Sequence, residues 1–349
     1  MISPIITEAE SKVSLASPVA SPAVHRNHRD SPGNLRLFTG NAHRSLASNI
    51  AHYLGVPLGE MTTTQFSDGE IRVQVEESAR GMDVFIVQPT CAPVNDNLME
   101  LLIMIDAFRR ASAERITVVL PYYGYARQDK KIKPREPVTA RLVADLITEA
   151  GATRAVCVDL HAGQIQGFFR IPVDHLFAGP LLAEYWLRSG FGNGDTCVVS
   201  PDVGGVTRAK SMAEMLKTSI AIIAKRRPEP NKVEIMEIIG DVKGKQCIMI
   251  DDMIDTGGSI VHGAEALMDR GAAAVYACCT HPVLSTGAVD RIAASPIQKL
   301  VTTDTIPFHE IAPIDAGHIE VLSVAPLLAD AIRRIHTDDS VSELFDRSW

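Results

Sequence analysis

The 349-residue sequence has no apolar run approaching the roughly 18–20 uninterrupted residues that a membrane-crossing helix needs, so no membrane partner is expected. It has no positive balance either. Its 34 Lys and Arg stand against 42 Asp and Glu, a formal charge of −8, which argues against nucleic acid as a partner and requires any anion site to concentrate cations locally. The six cysteines (Cys91, Cys157, Cys197, Cys247, Cys278, Cys279) show no CxxC spacing and mostly sit in apolar runs. They read as small buried hydrophobes in a reducing compartment. The first 33 residues lack hydrophobic periodicity and lack the continuous apolar segment of a secretory signal; Glu8, Glu10 and Asp30 oppose a transit peptide. That stretch is expected to be a disordered Ser/Pro-rich tail on a cytoplasmic protein.

From Leu35 onward, short β-branched runs alternate with amphipathic stretches. Strands are predicted at 83–89, 116–123, 155–160, 196–201, 220–225, 246–252, 274–280 and 299–305. These runs are continuously apolar, as in parallel strands covered on both faces. Helices are predicted over 95–112, where Asn or Asp opens the pattern as a cap, and over 140–151 and 258–272, which end near glycine. The alternation implies an α/β fold of mainly parallel sheets flanked by helices. The length fits two units dividing near residue 180, 34–178 and 179–349, with the last segment packing back on the first.

Ligands of open parallel sheets sit beyond the carboxyl ends of the strands. Four strand ends are chemically unusual. Residues 248–259, "IMIDDMIDTGGS", end an apolar run in Asp251 and Asp252 and continue into Asp255 and a Thr-Gly-Gly-Ser turn. Small residues opening a helix present N–H groups to a phosphate. The carboxylates suit hydroxyls on the same ligand, so a sugar phosphate satisfies both. Residues 118–135 place Arg127, Lys130, Lys131, Lys133 and Arg135 in a Pro-broken loop after a strand, able to close over a polyphosphate. Asp159 and His161 end a third strand, and a lone His is more often structural than a ligand. Asp202 precedes a Gly pair in "SPDVGG" (200–205). His161 and Asp202 together suit Mg²⁺ between phosphates, although spacing alone does not establish a metal site.

The 251–259 stretch resembles the phosphoribosyl-diphosphate motif of the type I phosphoribosyltransferase fold. "FSDGE" (66–70), "NDNLMELL" (95–102), "YARQDKK" (125–131), "DLHAGQIQGFF" (159–169), "SPDVGG" and "DDMIDTGGS" follow in order. Together they make 35–345 similar to the phosphate-activated class I ribose-phosphate diphosphokinase (phosphoribosyl-pyrophosphate synthetase) family. That resemblance implies two tandem type I phosphoribosyltransferase-like domains that move the diphosphoryl group of ATP to ribose 5-phosphate, feeding nucleotide, histidine and tryptophan synthesis.

By resemblance, Asp251 and Asp252 take the ribose hydroxyls, and Asp255, Thr256, Gly257, Gly258 and Ser259 cradle the 5-phosphate, with Arg227 nearby. Lys225 is the catalytic cation, and Arg127, Gln128 and Asp129 face ATP. Mg²⁺ is held by His161 and Asp202. Phe66, Asp68 and Glu70 reach the adenine of a neighbouring subunit, which implies a homo-hexamer with shared sites. Ser78, Arg80, Ser340 and Ser342 match a regulatory anion site where inorganic phosphate activates and ADP inhibits. Two rivals are a phosphoribosyltransferase, which shares the sugar loop, and a non-catalytic associated subunit.

Overall fold

The computed structural model describes residues 33–192, 194–226, 235–308 and 318–344. The expected tail therefore falls almost wholly outside the described residues.

The first sheet is built from β1 (Leu35–Thr39), β4 (Asp83–Val87), β5 (Arg115–Leu120), β6 (Arg154–Val158) and β7 (Val173–Leu176), hydrogen-bonded in that order and all parallel. Between β1 and β4 the chain makes a separate antiparallel hairpin, β2 (Met61–Gln65) and β3 (Ile71–Val75). Alternate residues of one strand serve opposite faces. Val84 and Ile86 pack with α2 (Val94–Arg110) and α3 (Thr139–Ala150). Phe85 and Val87 pack with α1 (Arg44–Leu54) and α8 (Ala325–His336). Helices on both faces explain why these strands read as unbroken apolar runs.

The second sheet runs β10 (Ile235–Ile239), β9 (Ser219–Arg226), β8 (Thr196–Ser200), β11 (Gln246–Ile254), β12 (Ala274–Pro282), β13 (Ile297–Thr303) and β14 (Ile319–Leu322). It is parallel except at β10–β9. One face carries α6 (Gly258–Asp269) and α7 (Ala288–Ala293), the other α4 (Gly179–Arg188) and α5 (Val206–Leu216). All six cysteines are free and buried, five of them in strands.

Although α8 follows β14 in sequence, its Leu328, Ala331 and Ile332 are buried against Leu35, Leu37 and Ile50 of the first unit. Its end is tied down by Asp83, whose Oδ2 accepts from Arg115 Nη2 at 2.5 Å and from His336 Nδ1 at 2.7 Å. Arg115 Nη1 also reaches Asp338 at 3.1 Å.

Two local expectations are corrected. No side chain caps α2: Pro93 is its cap residue, and Asn95 and Asp96 lie in the first turn. The asparagines serve tertiary contacts instead. Asn95 Oδ1 accepts from the Tyr125 hydroxyl, and Asn97 Nδ2 donates to Cys91 O at 2.9 Å. Asp251 and Asp252 do not end their strand, because β11 continues to Ile254.

Candidate active site

The carboxyl edges of the two sheets meet through a small apolar seat, in which Cys91 and Tyr122 of the first unit pack with Ile306, Met253 and Val283 of the second. Polar residues surround it. In β11, consecutive positions face opposite ways; Asp252 is buried and Asp251 is half-buried. Arg208, in the first turn of α5, places Nη1 3.2 Å from Asp251 Oδ1 and 3.5 Å from Asp252 Oδ1. From the first unit, His161 Nδ1–H donates to Asp252 Oδ2 at 2.8 Å. That hydrogen bond raises the pKa of His161. Burial works to raise the Asp252 carboxyl, but His161 and Arg208 together hold it below the usual range. Asp251 moves upward, through burial and then through the neighbouring Asp252. Of the two, Asp252 keeps its charge and Asp251 is the first to take a proton.

The Thr-Gly-Gly-Ser turn opens α6. Gly257 adopts φ 74° and caps α6 with no side-chain cap bond, leaving the first N–H groups of the helix without intrahelical acceptors. Thr256 and Ser259 are exposed at this open end, and Gly257 is buried. The turn is braced from below: Leu284 N–H donates to Ile254 O at 2.9 Å, Ser285 N–H to Asp255 O at 3.1 Å, and Arg291 to Thr256 O. Asp255 is drawn across the interface, its Oδ2 accepting from Arg127 Nη1 at 2.5 Å. Partial burial works against ionisation of Asp255, and the Arg127 bond nevertheless holds its pKa low.

On the other side the basic loop leaves β5. Lys130, Lys131, Lys133 and Arg135 are exposed, and Ile132 is 80% exposed. Glu136 Oε2 accepts from both the Ile132 and Lys133 N–H groups at 2.8 Å, closing the loop on itself. Gln128 is exposed, with Oε1 taken by the Thr139 hydroxyl. Asp129 turns inward and accepts from Gln164 Nε2 at 2.7 Å. The Asp202 turn after β8 is held by its own atoms: Gly205 N–H donates to Asp202 Oδ1 at 2.8 Å, and Ser200 Oγ donates to Asp202 O at 2.6 Å. Asp202 itself is exposed.

The structure thus joins Arg127, His161, Asp251, Asp252 and Asp255 in one cluster. It does not join Phe66, Asp68 and Glu70, which are exposed at the β2–β3 tip, where Asp68 Oδ1 accepts from Glu70 N–H at 3.1 Å. Ser78, Arg80, Ser340 and Ser342 are also exposed, flanking the Asp83–Arg115–His336 tie at the opposite end of the first sheet. Lys225 lies in β9 opposite Met236, but its side chain and all of Arg227 lie outside the described residues. Arg208 was missed in the sequence, although it stands in the same "SPDVGGVTRAK" string as Asp202. Only the β8–β11 pairing, which sets α5 beside β11, reveals it.

Residues 35–151 match the family model described as the N-terminal domain of ribose phosphate pyrophosphokinase, and 224–346 match the phosphoribosyl synthetase-associated domain. A ribose-phosphate pyrophosphokinase of Clostridium tetani is 59% identical over 314 residues, covering 90% of this chain and 98% of the relative. One from Caldanaerobacter subterraneus is 60% identical over 312 residues, covering 89% and 98%. The crystal structure of phosphoribosylpyrophosphate synthetase from Mycobacterium smegmatis superposes with a TM-score of 0.82 at 46% identity, covering 87% of this chain and 99% of that one.

Proposed function

The chain belongs to the ribose-phosphate pyrophosphokinase family, and from that premise we propose that it transfers the β,γ-diphosphoryl group of ATP to the anomeric hydroxyl of ribose 5-phosphate. The products are AMP and 5-phosphoribosyl 1-diphosphate. The observation that carries this reading is the meeting of the carboxylate–glycine turn of the second unit with the cationic strand ends of the first, through Arg127–Asp255 and His161–Asp252.

The sugar binds at β11 and its turn. Asp251 and Asp252 accept from the ribose hydroxyls, while the N–H groups of Gly257, Gly258 and Ser259 hold the 5-phosphate at the open end of α6. With both ends fixed, the anomeric hydroxyl points toward the interface. Its oxygen attacks the β-phosphorus, the bond from that phosphorus to the α-phosphate bridging oxygen breaks, and the hydroxyl proton leaves to solvent. The chemistry is alignment and charge neutralisation rather than covalent catalysis. Lys225 supplies fixed positive charge for the migrating group, and Arg227 joins the residues that bind ribose 5-phosphate. Arg127, Gln128 and the exposed lysines of the loop hold the nucleotide. Asp129, turned inward, braces that loop against Gln164.

Among the described residues no three His, Cys, Asp or Glu side chains gather as a metal cage. Asp202 is exposed with one oxygen uncommitted, which fits a cation that takes most of its ligands from water and phosphates. In this proposal Asp202 and His161 hold Mg²⁺, whose contribution is to offset phosphate charge.

The exposed hairpin tip with Phe66, Asp68 and Glu70 serves a neighbouring copy in a homo-hexamer. Ser78, Arg80, Ser340 and Ser342 receive inorganic phosphate as activator and ADP as inhibitor. The enzyme works in the cytoplasm, supplying nucleotide, histidine and tryptophan synthesis. Among the described residues no helix is long and apolar enough to cross a membrane.

A coupled assay for AMP tests the reading. AMP forms only when ATP, ribose 5-phosphate and Mg²⁺ are all present; no AMP with phosphate supplied contradicts it. Lys225→Ala is expected to lower kcat by about 100-fold or more with ATP affinity kept, and an unchanged kcat removes Lys225 from its role.

A further inference from the structure

His161 and Asp252 belong to different units, so something must hold the turn that carries His161 in register with β11. That turn begins with Asp159, which adopts φ 38°, a left-handed conformation uncommon for a residue with a side chain. Such strain persists only when the surroundings over-determine it. Here they do. Asp159 N–H donates to Leu176 O at 2.9 Å, and its Oδ2 accepts from Ala178 N–H at 2.9 Å and from Thr280 Oγ1 at 2.6 Å.

The single peptide bond between Asp159 and Leu160 is gripped on both sides by buried histidines. His281 Nε2–H donates to the carbonyl of Asp159 at 3.0 Å. His175 Nε2 accepts from the N–H of Leu160 at 2.8 Å. Burial lowers the pKa of both rings and keeps them neutral. Because a carbonyl only accepts, the His281 proton sits on Nε2, and Nδ1 faces the Thr305 hydroxyl at 2.9 Å. The ring is further held by the edge of Tyr122, with centroids 5.1 Å apart.

Thr280 and His281 belong to β12 of the second unit. β11 pairs Asp251 with Cys279 and Met253 with His281, so Asp252 and Thr280 lie side by side. Two neighbouring positions of the second sheet thus engage two positions of one turn: Thr280 with Asp159, and Asp252 with His161.

The geometry points to Thr280 and His281 as positioning residues that fix the Asp159–Leu160 peptide from across the interface and thereby aim His161 at the sugar site. This rests on the proposed transfer reaction, since it concerns where the nucleotide-side group stands relative to the sugar. Neither residue touches substrate. Docking of the two units and assembly of the site become one event.

The test uses the full-length enzyme and its variants H281L, H281Q and T280V. H281L removes the donor, and the turn is then free to rotate its peptide; misplacement on that scale lowers kcat about 100-fold. KM for ATP and for ribose 5-phosphate stays within about threefold, since most binding groups are untouched. H281Q presents an amide N–H near the position of Nε2 and recovers most of kcat. T280V, nearly isosteric, loses about tenfold, the scale of one hydrogen bond. Amide hydrogen exchange at residues 160–164 rises in H281L and T280V while that of β11 is unchanged. Unchanged turnover in both H281L and T280V overturns the inference, as does H281Q performing no better than H281L, or exchange at 160–164 that does not respond. A wild-type enzyme making no AMP contradicts the proposed reaction instead, and the exchange measurement then decides alone whether Thr280 and His281 fix the Asp159–Leu160 turn.

Discussion

Arg208 is the cation on which the β11 carboxylate pair depends in the absence of substrate, and Arg208→Met isolates that dependence. Methionine keeps much of the aliphatic stem and removes the charge. Taking away one partner of a fully buried ion pair destabilises by about 3–5 kcal/mol. Several features reduce that figure here. The Arg208 and Asp251 side chains retain 24% and 30% exposure, although Asp252 keeps only 5%. Asp252 also keeps its bond to His161, and Asp251 relieves part of the repulsion by taking a proton, the direction in which its pKa already moves. A loss of about 2 kcal/mol remains, which lowers the melting temperature by about 3 °C if the chain melts as one unit. Calorimetry or circular dichroism reads that shift. Added Mg²⁺ should return part of it, raising the melting temperature of R208M more than that of the wild type, because the variant leaves two carboxylates without their guanidinium. An R208M protein as stable as wild type, or one indifferent to Mg²⁺, refutes the view of Arg208 as the resident counter-charge.

Further outcomes follow from packing and burial. Leu328→Ala in α8 removes a fully buried side chain from the core of the first unit and should destabilise by about 2–5 kcal/mol. Exchange should rise in α1 and β1, far away in sequence, and a response confined to the second sheet contradicts the packing. Below about pH 6.5 unfolded His175 and His281 take up protons that burial withholds from the folded rings, so the contribution of these two rings to stability falls with acid and rises with pH in that window. Asp251 and His161, whose folded pKa values are raised, act in the opposite direction, so the slope of a single-ring variant against wild type is the informative quantity. His281→Gln should flatten the slope by up to about 1.4 kcal/mol per pH unit, measured by denaturant titrations between roughly pH 5 and 7; an unchanged slope contradicts the assignment.

The legible parts of the fold were those whose signal is local. Strands such as β4, β8 and β11 are covered on both faces, so burial alone writes them as apolar runs. β7 (VDHL) and β14 (IEVL) are too short and too polar for that signal, and pairing with a neighbour makes them strands. The cap of α2 misled because Asn and Asp near a helix start can serve either the helix or the tertiary structure, and here Asn97 holds Cys91. In the site, the Asp251–Ser259 stretch was readable as a sugar-phosphate turn because one strand, turn and helix contain it. Arg208, Thr280 and His281 were not, since each acts on a neighbouring strand or on the other unit. Sequence order hides such contacts until the sheet order is known.

The central claim is that sugar and nucleotide meet across the two units so that a diphosphoryl group moves intact. ATP labelled at its β-phosphorus, incubated with ribose 5-phosphate, Mg²⁺ and inorganic phosphate, tests it most directly. The label should appear in the sugar product, with unlabelled AMP formed in equal amount. Label remaining in ADP, or in unreacted ATP, contradicts the account.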